Sequence, residues 1–187
     1  MKSLKIVSLF SLLAVFSSCS DDDDNIQIIN EEEVITTLTV TLVDQNTNEV
    51  KTLQYRDLDG DGPESPIVTA DNLDANTTYQ GSIEFLNELE DPAEDITEEV
   101  VEEGEEHQVF FVNSTALETN FDYLDADANN NPIGVEFSLT TGNASNGNLS
   151  IILIHDGDKF AEGAADGEIN NVGGETDIEA NFDVVIE

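Results

Sequence analysis

The feature that most limits this chain is an apolar residue at every second position, repeated in segment after segment. In "VITTLTVTLV", 34–43, Val34, Leu38, Val40 and Leu42 share one side, while Thr37, Thr39 and Thr41 point the other way. A period of two gives a strand one buried face, whereas a helix needs apolar residues every three or four positions. The pattern returns in 77–86 with Tyr79, Ile83 and Phe85, and in 133–141 with Ile133, Val135, Phe137 and Leu139. It closes the chain in 176–187 with Ile178, Ala180, Phe182, Val184 and Ile186. A strand over 49–56 follows the polar turn "DQNTN". "HQVFFV", 107–112, and "NLSIILIH", 148–155, are apolar on both sides and suit strands covered on both faces. Connectors rich in Asn, Asp and Gly supply the turns.

One segment departs from this period. "DPAEDITEEVVEEG", 91–104, places Asp91 as N-cap, Pro92 at the first helical position and Glu94 where a capping box needs it. Ile96, Val100 and Val101 make a narrow apolar stripe, and Gly104 is a stop signal. The expectation is one short, very acidic helix across a sheet edge; the competing reading is a disordered acidic loop. About seven to nine strands with one helix predict an all-β fold, an antiparallel two-sheet immunoglobulin-like sandwich.

The N-terminus has a different character. Lys2 and Lys5 precede an apolar run from Ile6 to Phe16, and Ser17 and Ser18 follow it. This reads as a targeting segment over 1–18, since the run is far short of the ~20 residues that span a bilayer. "FSSC" is similar to a bacterial lipoprotein lipobox, with Phe16 bulkier than the usual leucine, and it makes Cys19 the lipidated residue. The alternative is an ordinary secretory signal. Cys19 is the only cysteine, so no disulfide and no thiol nucleophile are available. Residues 19–33 read as an acidic tether and 34–187 as a single domain.

Beyond residue 18 the chain carries 42 acids against Lys51, Arg56 and Lys159, a formal −39. Such a surface cannot neutralise phosphates, which excludes nucleic acid as a partner. It also strains the compact state by self-repulsion, which bound or screening cations relieve.

Three sets of residues are candidate ion ligands. Asp57, Asp59 and Asp61 with Gly62 copy the first half of a calcium loop, but Val68 stands where the bidentate Glu belongs. A strand-to-strand calcium loop and a bare acidic turn are both consistent with that pattern. Asp125, Asp127 and Asn129, with Asn131 as a fourth ligand, repeat the spacing without the glycine. His107 and His155 are the only histidines, each near a strand end, His107 on the side of Val109 and Phe111 and His155 on the side of Ile151 and Leu153. They could share a transition metal with nearby acids such as Glu105 or Asp156, or simply be hydrogen-bonded at the rim. No nucleophile elbow, phosphate-binding glycine loop or His-x-x-x-His pair is present, so a non-catalytic role is expected.

The stretches "YRDLDGDGP", "DPAEDITEEVVEEGEEHQVFF" and "GGETDIEANFDVVI" together resemble a family of Bacteroidota surface lipoproteins, often labelled "type 1 periplasmic binding fold superfamily protein". The similarity runs from about residue 31 to the end. It implies an outer-membrane location and no particular activity. It also implies that Ser20, Asp21, Asp22, Asp23 and Asp24, just after the acylated cysteine, form an export signal to the outer leaflet; a solvated spacer is the alternative. The combined expectation is a lipid-anchored, surface-exposed, non-catalytic binding or structural lipoprotein with a calcium-stabilised acidic loop. The alternative is an accessory lipoprotein that captures a transition metal or small ligand for an outer-membrane transporter. A glycan hydrolase using paired carboxylates is remote.

Overall fold

A computed structural model describes residues 33–60 and 62–187. The targeting segment, Cys19, Ser20, Asp21 to Asp24 and Asp61 lie outside the described residues. The alternating segments become strands of two antiparallel sheets, and the expected all-β sandwich with one helix is present.

The strands are β1 (Thr37–Asp44), β2 (Val50–Arg56), β3 (Ile67–Ala70), β4 (Thr78–Asn87), β5 (Glu94–Asp95), β6 (His107–Asn113), β7 (Thr119–Tyr123), β8 (Glu136–Thr141), β9 (Ser145–His155) and β10 (Glu175–Ile186). One sheet runs β3-β2-β1-β4-β8-β7 with β5 paired to β4, and the other runs β10-β9-β6. The inward residues meet as the alternation requires: Leu38, Val40, Tyr79, Phe85, Phe137 and Leu139 from the first sheet face Val109, Ile151, Leu153, Ala180 and Phe182 from the second. Gly81 opposes Phe137 across the β4–β8 ladder. A Cβ there would lie 2.3 Å from the Phe137 ring, so the missing side chain is what lets the ring lie over the strand.

The strands that are apolar on both sides belong to the smaller sheet. Their outer face is covered at one end by the 156–174 connection, where Phe110 and Ile154 pack with Ala164 and Val172. Main-chain bonds close both sides of the sandwich. Val109 and Ile83 donate to the carbonyls of Ile133 and Val135, and Leu73 exchanges bonds with Val185 and Glu187.

Two expectations are corrected. The helix, α1, spans Ile96–Glu102 and is capped by Asp95, whose carboxylate accepts the Thr97 N–H; it does not begin at Asp91. A short pairing of Glu94–Asp95 with β4 holds the preceding residues extended, so the chain turns helical only afterwards. Ile96 and Val100 are buried, but Val101 is exposed. Val34 is also exposed, because β1 begins at Thr37 and the residues before it form an arm with its own course. No helix among the described residues is long and apolar enough to cross a membrane.

Candidate metal centre

His107 opens β6 and His155 closes β9, and the two are direct partners in the antiparallel ladder. Antiparallel pairing places such side chains on the same face, and their rings lie 4.5 Å apart. The third strand of this sheet, β10, continues the row. Its register against β9 shifts between Thr176 and Ile178, leaving Asp177 as the extra residue of a β-bulge. Strict alternation would send Asp177 outward with Glu175 and Glu179. The bulge instead re-aims the side chain, as bulges beside functional sites do. Its carboxylate is fully buried, 3.9 Å from His107 Nε2 and 3.8 Å from His155 Nδ1.

A fourth group arrives from the arm before β1. Glu33 sets Oε1 3.1 Å from His107 Nε2 and Oε2 3.2 Å from His155 Nδ1, with a side chain only 4% exposed. Two imidazoles and two carboxylates therefore converge on one buried point, each able to offer a single ligand atom.

The spacing matches a bound ion. Ligands 2.0–2.2 Å from a tetrahedral zinc lie about 3.3–3.6 Å from one another. The nitrogen–oxygen separations here, 3.1 to 3.9 Å, bracket that range. The tautomer agrees as well. His107 Nδ1 lies 3.2 Å from the Glu103 carbonyl, which can only accept, so Nδ1 carries the proton and Nε2 faces the carboxylates. A ligating histidine ordinarily has its second ring nitrogen anchored in this way. An imidazole lone pair aimed at carboxylate oxygens needs a proton or a metal between them.

The surroundings are crowded with negative charge. Burial would lower the His155 pKa, but Glu33 and Asp177 outweigh it and hold the ring above its usual value. The other ring nitrogen, Nε2, faces Glu106 at 3.7 Å. On α1, burial raises the Glu99 pKa, and the charges of Glu33, Glu103 and Glu94 raise it further. Glu33, Glu99 and Glu103 form one neighbouring acidic group, and Glu106, His155 and Asp156 another.

Among the described residues, one lysine supports the centre through the backbone of β6. Lys159 is buried, and its Nζ donates to the carbonyls of Gly104 and His107 while lying 3.0 Å from the Asp127 carboxylate. Burial pushes its pKa down despite the Asp127 charge. The other two basic residues of the domain are also paired, Lys51 with Glu49 and Asp74, and Arg56 with Glu88.

The acidic loops are arranged differently. Asp57 accepts the main-chain N–H groups of Asp59 and Gly60, and Asp59 accepts that of Glu64. Both carboxylates thus shape their own turn. Asp125 accepts the N–H groups of Gly134 and Glu136, whereas Asp127 accepts those of Asn129 and Asn131 and pairs with Lys159. The second loop is therefore a main-chain clamp joined to a buried ion pair, and its two aspartates serve separate partners. Asp57 and Gly60 do border the centre, since they line a cleft with Ile35, Tyr55, Asp177 and Glu179.

The strand-end position of both histidines is legible in the sequence, and Asp156 does stand beside His155, but the carboxylates shared by the two rings are those of Glu33 and Asp177, not Glu105. Asp177 is hidden by the bulge, and Glu33 falls in what reads as tether. A short acidic run directly before a strand was the one available signal for Glu33. No protein-family model, no curated protein and no solved structure matches this chain.

Proposed function

We propose that this chain is a lipid-anchored, surface-displayed module that captures a divalent transition metal, with zinc as the reference ion, rather than an enzyme. The observation that carries the reading is the convergence of His107, His155, Glu33 and Asp177 at ligand spacing in a buried site. Imidazole with carboxylate suits zinc and its first-row neighbours, whereas calcium prefers six to eight oxygens and does not select imidazole. Four protein ligands also complete a tetrahedral shell. A catalytic zinc keeps one position open for water or substrate, so a closed set favours holding the ion over chemistry on a substrate. The lipobox-like Cys19 and the acidic run after it support the surface location, and an outer-membrane transporter is the expected receiver. The described carboxylates of the acidic loops, Asp57, Asp59, Asp125 and Asp127, accept main-chain N–H groups, which favours the buried centre over them as the main ion site.

Zinc titration of the chain by calorimetry tests this reading. One ion should bind tightly, and His107→Ala or His155→Ala should each weaken binding by more than about 100-fold with the strand signature in circular dichroism retained. Unchanged affinity in both folded variants would sink the proposal.

A further inference from the structure

The four ligands are not equivalent. His107, His155 and Asp177 stand on β6, β9 and β10, adjacent strands of one sheet; the histidines are direct ladder partners, and Asp177 sits in a bulge flanked by the Thr176–Ile154 and Ile178–Leu153 pairs. All three therefore belong to one hydrogen-bonded sheet. Glu33 comes from the arm that leads into β1, which belongs to the other sheet. Three residues separate it from Thr37, the first β1 residue, and the arm's first main-chain bond to the domain among the described residues is from Thr36 N–H to the Leu86 carbonyl. Only its carboxylate links it to the histidines.

The charges around Glu33 make that link depend on a cation. Asp177 faces it from β10, Glu99 from α1 and Glu103 from the residue that ends α1, beside the two imidazoles of β6 and β9. Without a bound ion, Glu33 and Asp177 share one place shielded from water, where like charges repel most strongly, while Glu99 and Glu103 add negative charge from exposed positions. A bound divalent ion reverses the sign of this contact. The arm also flanks the way in, because Ile35, two residues on, lines the cleft that borders Asp177.

Resting on the metal-capture reading, we infer that Glu33 is the exchangeable ligand of the centre, a cation-dependent clasp. Three strand-borne ligands keep the ion while Glu33 closes the fourth position and fixes the arm to the domain. Hand-over begins when the Glu33–metal bond breaks and an incoming donor atom of an acceptor takes that position; no electron changes hands.

Hydrogen exchange and metal-transfer kinetics on the full chain in detergent test the clasp. Zinc should slow exchange of the 33–36 amides by at least about 10-fold, with smaller changes in β1 itself. Glu33→Gln should still bind zinc through the other three ligands, release it to a chromophoric chelator at least about 10-fold faster than wild type, and leave 33–36 insensitive to zinc. Zinc binding with no change in 33–36 exchange, or wild-type release from Glu33→Gln, would overturn the clasp and leave metal capture standing. No zinc binding by the wild-type chain would overturn both.

Discussion

Replacing Lys159 with Met gives the sharpest test of how this acid-rich domain holds together. The side chain is 3% exposed and makes three contacts, to the Gly104 and His107 carbonyls and to Asp127, whose own side chain is 1% exposed. Methionine keeps most of the volume but leaves a buried carboxylate with no cation and two carbonyls with no donor. Breaking a buried pair from one side costs about 3–5 kcal/mol, because the desolvated partner charge stays behind. For a domain of this size each kcal/mol moves the midpoint by about 2–4 °C, so the expected drop is about 6–20 °C. Asp127→Asn in the same chain should recover part of the loss, since the amide oxygen can still accept the Asn129 and Asn131 N–H bonds without carrying a charge. Urea denaturation in the presence of chelator gives the four corners of the cycle, with unchanged m-values showing that only the native contacts were altered. A Lys159→Met loss below about 1 kcal/mol, or no relief from Asp127→Asn, would refute the reasoning.

Other expected outcomes follow from single contacts. Gly81→Ala should cost about 1–3 kcal/mol, because the new methyl meets the Phe137 ring; melting curves read this, and Phe137→Leu in the same chain should return some of it. The Glu88 carboxyl is held down to about 2, first by the Arg56 guanidinium and then by the Thr37 hydroxyl. Its folded value lies below its unfolded one, so the stabilisation is complete above about 4.5 and fades as the pH falls toward about 2. Glu88→Gln should therefore flatten the acid limb of the stability curve in that window and change little at higher pH beyond a constant offset. At one hundred times its Kd, zinc should add about 2.7 kcal/mol of stability, whereas millimolar calcium should not displace it. A midpoint that ignores zinc would contradict the centre.

The sandwich was legible because its strands obey the simplest rule, one buried face per strand. Leu38, Val40, Tyr79, Phe85, Phe137 and Phe182 are all in the core, as their positions in the alternation require. Short elements without a full period were not legible: β3 holds exposed Ile67 and Val68, and β7 alternates only partly buried residues. The helix was found but begins late, because the Glu94–Asp95 pairing with β4 outweighs the capping signals at Asp91 and Glu94. Half of the metal centre could be read from strand parity, which puts His107 and His155 on the inward face. The other half could not. Asp177 depends on a register shift that no local residue announces, and Glu33 on an arm whose path is set by charges more than 70 residues away in sequence. Acidic motifs discriminate poorly in such a chain, since 42 carboxylates produce alternating aspartates wherever turns need main-chain acceptors.

The most direct measurement is X-ray absorption at the zinc edge on the chain loaded with one equivalent of zinc. The account predicts a four-coordinate nitrogen and oxygen shell at about 2.0–2.1 Å, with outer-shell scattering from two imidazoles that falls to one in His107→Ala. A six-oxygen shell without imidazole scattering, unchanged in that variant, would place the ion on surface carboxylates and contradict the buried centre.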